Sequence, residues 1–371
     1  MDIKFDIMKK IVVSAASLRM GGAITIYNQF ISHLRDEIGN DLYYIFVNKV
    51  LQQPLIPGVQ YHVIDIESRS RRNWFDNIGC KEVLDKVGFA PDLVVSLQNT
   101  GVRCFKGIKQ LIYYHQSLPF YKHHWNPLKK EERSKFLYKH FYLWFVKRSI
   151  GPNTQFVVQT QFIKDNLVKR LGIEESQVSI CFPDIEIPDA ERVSGYAFPN
   201  NEFALIYPSL YSPHKSHGVL VKALGLLKNR HSELFKRVRI YFTVCGGEAP
   251  EIEQLIKSLG LEDKICLMGR LPYETTLSLY KTATAMLFPS TMETIGLPLL
   301  EAASFGLPVV VTEAPYAHEV LEGYEGVSFA RAEDVEAWAK SIVRLISHCP
   351  KRFLPFKPAG KAGWHDFFEM I

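Results

Sequence analysis

Two carboxylates, Glu293 and Glu301, stand eight positions apart in the stretch FPSTMETIGLPLLEAASFGLPVVVTEAPYAHE, which runs from Phe288 to Glu319. Between them lies the turn Gly296-Leu297-Pro298. After them come a small-residue segment, a second Gly-Leu-Pro and the apolar run Val309 to Val311. Ala285 to Phe288 has the length of a buried parallel strand, Pro298 suits a first helical turn, Leu299 to Phe305 continues as helix, and Gly306 stops it. A helix entered through a glycine loop presents unpaired N–H groups and the positive end of its dipole, an anion site suited to phosphate. Two carboxylates make poor phosphate ligands. They are better used as acceptors for hydroxyls flanking the phosphates, and a nucleotide sugar carries hydroxyls on both sides of its diphosphate.

Such a unit needs a sheet to hold it, and the chain alternates strand and helix throughout. Lys10 to Ala15 reads as a strand, Met20-Gly21-Gly22-Ala23 as a tight loop and Ile24 to Leu34 as an amphipathic helix, the first turn of a Rossmann-like half. Leu42 to Asn48, Tyr61 to Ile66, Leu93 to Leu97, Leu111 to Tyr114 and Phe156 to Gln159 read as further strands. Pro183, Pro188 and Pro199 punctuate a stretch of little periodicity taken as a linker. Beyond it come strand Phe203 to Tyr207, helix Val219 to Lys228, strand Arg239 to Cys245, helix Glu251 to Leu259, strand Ile265 to Met268 and helix Tyr273 to Thr282. The pattern predicts an α/β protein of two doubly wound domains facing across a cleft, 1–188 and 189–355, with 356–371 packing back on the first.

Bulk properties narrow the class. The 371 residues are 47% apolar and 22% charged, ordinary for a soluble protein and long for a single core. No apolar run reaches the roughly 18 residues of a membrane span, and the amino terminus does not read as a signal peptide. Six cysteines without a C-x-x-C pair argue against zinc or a disulfide framework and for reduced thiols in a cytoplasm. The net charge of +5 is concentrated before residue 190, and no nucleic-acid-binding pattern accompanies it.

The frame PSTxETxGLPLLEAxxxGxPVV around Glu293-x7-Glu301 closely resembles the signature of the retaining family-4 glycosyltransferases (glycosyl transferases group 1), enzymes of the GT-B architecture with two Rossmann-like domains. The resemblance is good over 203–320 and weak elsewhere. It implies that Glu293 contacts the sugar hydroxyls, Glu301 the ribose hydroxyls, and the amides of Ile295, Gly296 and Leu297 the diphosphate. Lys215, in YPSLYSPHKSHG, is similar to the family lysine that pairs with the donor phosphates. Gly21 and Gly22 match its amino-terminal glycine loop, His115 its strand-end histidine facing the donor sugar, and Arg270 and Leu271 the segment whose main chain meets the nucleobase. Six residues before the lysine the family commonly carries an arginine; here Ser209 stands there, leaving charge neutralisation to Lys215, the amides and the helix dipole, with His214 or His217 as candidate helpers. The implied reaction is a retaining transfer of a hexose-type sugar from a UDP- or GDP-linked donor to a glycan or lipid-linked acceptor, without a cofactor or metal. The implied setting is surface-polysaccharide assembly. The acidic triplets Asp65-Ile66-Glu67 and Asp184-Ile185-Glu186 are read as structural. A sugar-nucleotide 2-epimerase and an inactive nucleotide-sugar-binding protein share the architecture and stay open.

One segment points away from the cleft. Residues 129–148, KKEERSKFLYKHFYLWFVKR, interleave seven basic residues with six aromatic ones. On a helix, Leu137, Phe141 and Phe145 share a stripe. Either that stripe is the core face and the charges its wet side, the reading preferred here, or the helix lies in the headgroups of an anionic membrane. Arg69, Arg71, Arg72, Trp74 and Phe75 form a second basic-aromatic patch.

Overall fold

The structure, a computed structural model, describes residues 8–19, 21–121, 125–184, 191–348, 352–358 and 361–371. Met20, Ile185, Glu186 and Pro188, and Cys349 among the six cysteines, lie outside these. The chain divides into two compact units, Met1–Asp184 with Gly360–Ile371, and Ile185–Ala359.

The first unit is built on β1 (Lys10–Ala15), β2 (Leu42–Val47), β3 (Val59–Val63), β4 (Leu93–Ser96), β5 (Lys109–Tyr114), β6 (Thr154–Val158) and β7 (Val178–Ile180). Their order is β3-β2-β1-β4-β5-β6-β7, with all neighbours parallel. Runs such as KIVVSA and LYYIFV are apolar at nearly every position because helices cover both faces of a parallel sheet. Ile11, Val13 and Ala15 pack to one side, Val12 to the other. Two strand readings change. β3 runs from Val59 to Val63 instead of Tyr61 to Ile66, with the Ile64 amide still donating to the Val47 carbonyl at 2.9 Å and Ile64 and Ile66 buried in the cluster that holds Phe75, and the three-residue β7 is too short to show in the sequence.

The second unit holds β8 (Phe203–Tyr207), β9 (Val238–Phe242), β10 (Ile265–Leu267), β11 (Ala285–Phe288), β12 (Val309–Thr312) and β13 (Val327–Ala330), ordered β10-β9-β8-β11-β12-β13 and parallel throughout. β9 stops at Phe242, short of the expected Cys245, because Thr243 turns its hydroxyl to the Ser209 amide at 2.8 Å. In both sheets the order reverses beside the first strand, between β1 and β4 and between β8 and β11. The crevice outside the carboxyl ends of such strands is where doubly wound folds bind ligands.

The last helix, Trp364–Glu369, belongs to the first unit: Trp364 stacks on Tyr113 at 5.3 Å, and Phe368 stacks on Phe30. The helix Lys130–Ser149 reverses the preferred reading of its stripe. Leu143 and Val146 are buried against Ile112, Tyr114, Phe156 and Ile163, whereas Phe141, Trp144 and Phe145 are 51%, 51% and 45% exposed. The second patch divides too. Arg69, Arg71 and Trp74 face solvent, while Arg72 and Phe75 turn inward. Among the described residues no helix is long and apolar enough to cross a membrane.

Candidate functional site

In the second unit Lys215 lies in the loop after β8, and Glu293, Ile295, Gly296 and Leu297 follow β11, at the carboxyl ends of those two strands. The loop after β8 carries Lys215, whose Nζ donates to Glu293 Oε1 at 2.5 Å, with both side chains mostly buried. Three contacts fix that loop. The Tyr207 hydroxyl donates to the Lys215 carbonyl (2.8 Å), the Thr291 amide to the His214 carbonyl (2.9 Å), and the Ser216 hydroxyl to the Glu333 carboxylate. Ser216 and Glu333 both hold positive φ, at 51° and 56°, which side chains of their kind rarely adopt.

Glu293 sits in the loop after β11. Its neighbour Gly296 (φ 71°) opens the helix Leu297–Ser304, which has Pro298 in its first turn and no side-chain cap. A Cβ on Gly296 would approach Leu299 to 3.2 Å, so both conformation and space call for glycine. Tyr316 donates to the Ser290 carbonyl at 2.6 Å and holds the loop from below. Glu301 lies one turn into the helix. Its Oε2 accepts the buried Tyr280 hydroxyl at 3.0 Å, and burial pushes its pKa up against the pull of Tyr280 and Tyr273. The arrangement is a cation paired with one carboxylate beside an uncapped helix start, and a second carboxylate one turn into that helix, competent for a polyhydroxylated anion.

His217 cannot lend charge there. It is 1% exposed, enclosed by Tyr207, Phe242 and Tyr211, and neither ring nitrogen has a hydrogen-bond partner. Burial first, then Lys215 and His214, push its pKa down to about 3, so it is neutral at physiological pH. Ser209, in the arginine's place, donates through its hydroxyl to the Leu210 carbonyl and ties β8 to β9. Arg270 is exposed and paired with Glu248 at 2.7 Å; Leu271 follows it.

The first unit gathers Gly21, Gly22 and His115 at the carboxyl end of its own sheet. Gly21 (φ 57°) caps the helix Gly22–Glu37 with open space around both glycines. His115 follows β5. Its amide donates to Asn99 Oδ1 at 2.6 Å, and its Nε2 lies 3.1 Å from the Leu97 carbonyl. Asn99 Nδ2 lies 3.5 Å from the same nitrogen, so the ring is held between the Leu97 carbonyl and the Asn99 side chain. Burial lowers the pKa of the ring, outweighing its backbone hydrogen bonds, and keeps it neutral.

A polar network beside this histidine escaped the sequence. Arg72 donates through Nε to Asp76 (2.6 Å), through Nη1 to Gln98 (2.6 Å) and Ser17, and through Nη2 to Thr100 (3.0 Å). The Gln98 side-chain oxygen also accepts the Ser17 amide at 2.8 Å, so the loops after β1 and β4 are tied through one guanidinium. Asp76 lies in the first turn of a π-helical segment, Phe75–Gly79, and keeps one oxygen without a partner; burial raises its pKa against the pull of Arg72. The one available signal was the i, i+4 spacing of Arg72 and Asp76.

Among the metal readings, Asp65 pairs with Lys49 at 2.9 Å and with Arg19, and Asp184 with His33.

Residues 190–353 match the family described as glycosyl transferases group 1. The O-antigen chain mannosyltransferase RfbU of Salmonella typhimurium is 23% identical over 65% of this chain and 62% of its own length. A D-inositol 3-phosphate glycosyltransferase of Corynebacterium urealyticum is 32% identical over 38% of this chain and 34% of its own length. The chain thus covers less than two thirds of either relative. Among solved structures, a glycosyltransferase from Rickettsia africae superposes with a TM-score of 0.66 over 92% of this chain and 88% of its own, at 17% identity. Anabaena HepE in complex with UDP and glucose gives 0.62 over 91% and 90%, also at 17% identity. These likenesses establish the fold, two Rossmann-like parallel-sheet domains of the GT-B kind.

Proposed function

We propose that this chain is a retaining glycosyltransferase of the family-4 kind. It moves a hexose-type sugar from a nucleoside-diphosphate sugar to a glycan or lipid-linked acceptor of a bacterial surface polysaccharide, at the inner face of the plasma membrane. The observation that carries the reading is the Lys215–Glu293 pair beside the uncapped start of Leu297–Ser304, at the reversal point of the second sheet. The O-antigen relative and the UDP-bound structural neighbour support it.

On donor binding, the diphosphate takes the Lys215 ammonium and the amides of Ile295, Gly296 and Leu297. Glu293 then turns from the lysine to sugar hydroxyls, and Glu301 accepts ribose hydroxyls. His115, which burial keeps neutral, is the residue to which the resemblance gives the contact with the donor sugar. As the bond from the anomeric carbon to the phosphate oxygen breaks, charge gathers on the leaving diphosphate, where a fixed cation and prearranged amides are worth several kcal/mol. The departing oxygen takes the acceptor's proton on the same face, and the acceptor oxygen bonds to the anomeric carbon with retention. Neither a covalent nucleophile nor a metal enters this scheme.

The test begins with thermal shift across UDP- and GDP-linked hexoses, followed by nucleoside diphosphate release with and without acceptor in EDTA. Acceptor-dependent release and a product of unchanged anomeric configuration by NMR are expected. Sugar interconversion without acceptor identifies an epimerase, and binding without turnover an inactive protein. Loss of release in EDTA, restored by manganese, overturns the metal-free scheme.

A further inference from the structure

We propose that the outward face of Lys130–Ser149, with the adjoining segment Arg69–Ile78, is the surface by which this protein sits on an anionic lipid bilayer. The helix is anchored to its unit from the opposite side, through Leu143 and Val146, so its outer stripe is not needed for packing. That stripe repeats at helical spacing: Leu137, Phe141, Trp144 and Phe145 are exposed by 36%, 51%, 51% and 45%. Basic residues line the same face, with Arg133, Lys147 and Arg148 exposed and the Arg148 guanidinium 4.7 Å from the Trp144 ring. From Arg133 to Arg148 the sequence holds no acid. Arg69 reaches Ser134 at 3.4 Å, which sets the second segment alongside. It adds exposed Arg69, Arg71, Trp74 and Ile78, and its acid, Asp76, is buried under Arg72.

A single-sign rim around aromatic side chains fits headgroup phosphates with acyl carbon beneath. Lysine and arginine stay with the phosphates while tryptophan and phenylalanine enter the interface. The occupant follows from the charge. A second copy of the chain would bring the same positive face and repel it. The proposal deepens the lipid-linked acceptor reading by naming the face that meets the membrane, and it is read by binding alone, so failure of the enzymatic reading leaves it standing.

The full-length protein is sedimented with phosphatidylcholine vesicles, with and without about a third phosphatidylglycerol. Binding is expected to the anionic vesicles only, reversed by salt. R133Q/K147Q/R148Q should weaken it about a hundredfold, at roughly fivefold per charge. F141S/W144S should weaken it comparably while its melting temperature stays near that of the parent. Equal binding to neutral vesicles, no binding, or variants that bind like the parent overturn the proposal. So does a dimer in ultracentrifugation that F141S/W144S dissociates.

Independently, we infer that Glu333 is a positioning residue for Lys215. Of the four non-glycine residues with positive φ among those described, two are asparagines, which tolerate that conformation. The other two, Ser216 and Glu333, lie 117 positions apart and bond to each other. Ser216 follows Lys215 directly, so the carboxylate after β13 holds the backbone that aims the ammonium. This rests on the phosphate-binding reading of Lys215. Calorimetry with UDP and with GDP tests it. E333G should weaken the tighter nucleotide about three- to tenfold, E333Q should restore binding, and E333G should add nothing once S216G is present. Additive effects, or an E333G protein that binds like the parent while K215A does not, overturn the latch. A silent K215A overturns the phosphate reading and the latch with it.

Discussion

The carboxyl ends of the two sheets solve the same topological problem with opposite chemistry. In the second unit, opposite charges meet in a loop cluster that still has unmet capacity: Lys215 and Glu293 hold one another beside an uncapped helix start. In the first, one guanidinium is spent on internal partners, Asp76, Gln98, Thr100 and Ser17, and the nearby histidine is neutral. One end is kept ready to trade partners, the other is fastened. A fastened crevice keeps its shape whatever binds, whereas a site of exchangeable charges changes its contacts with its ligand.

That contrast predicts which substitutions affect stability and which affect turnover. The largest stability effect is expected at Arg72. Arg72→Met leaves Asp76 buried and uncompensated, a loss of about 3–5 kcal/mol read from the urea midpoint, and Asp76→Asn on top of it should recover part. If Arg72→Met melted normally, the first crevice would not be fastened as described.

Lys215→Ala should show the reverse, with turnover reduced about a hundredfold or more, or roughly 3 kcal/mol of transition-state stabilisation, and a loss of stability smaller than that of Arg72→Met, since Glu293 is left without its partner but is less deeply buried than Asp76. Stability lost without turnover would erase the contrast.

Glu301→Gln comes next, weakening nucleotide binding by about 1.5–3 kcal/mol in calorimetry. Its pH profile sharpens the point. Burial raises the Glu301 pKa, so the ionised carboxylate is lost on acidification earlier than for an ordinary glutamate. Nucleotide affinity should therefore fall as pH drops through that raised value, and Glu301→Gln should flatten the profile. Stability runs the other way. A group that binds its proton more tightly when folded adds stability as pH falls.

The smallest effect is on the outer helix. Phe141→Ala should change stability by no more than about 0.5 kcal/mol, whereas Leu143→Ala on the buried side should cost about 2–5 kcal/mol. Equal losses would return the stripe to the core.

The second unit was legible because its chemistry is local. Glu293, Gly296 and Glu301 fall within a single strand-turn-helix, and Pro298 and Gly306 mark its limits, so spacing alone nearly builds it. Lys215 is distant in sequence but occupies the loop after a strand that the apolar pattern identifies. The network of the first unit draws on Ser17, Arg72, Gln98 and Thr100 from three separate loops and helices. No periodicity links them, and Arg72 looked like one more surface arginine. The Lys130 helix failed for a different reason. Spacing showed that Leu137, Phe141 and Phe145 share a stripe, but which side of a helix meets the sheet is decided by partners such as Ile112 and Phe156.

The ion pair between Lys215 and Glu293 has one more consequence, for selectivity against simple salts. A lysine that already holds a carboxylate at 2.5 Å is a poor trap for stray phosphate or sulfate. Such ions offer charge to the ammonium but bring no hydroxyl hydrogens to the displaced glutamate, which would be left in a recessed site without a partner. Only a molecule that carries anion and alcohol at the right separation relieves both members of the pair at once. On the proposed reading the closed pair would then act as a filter, favouring a ligand that carries both an anion and hydroxyls over a simple inorganic anion.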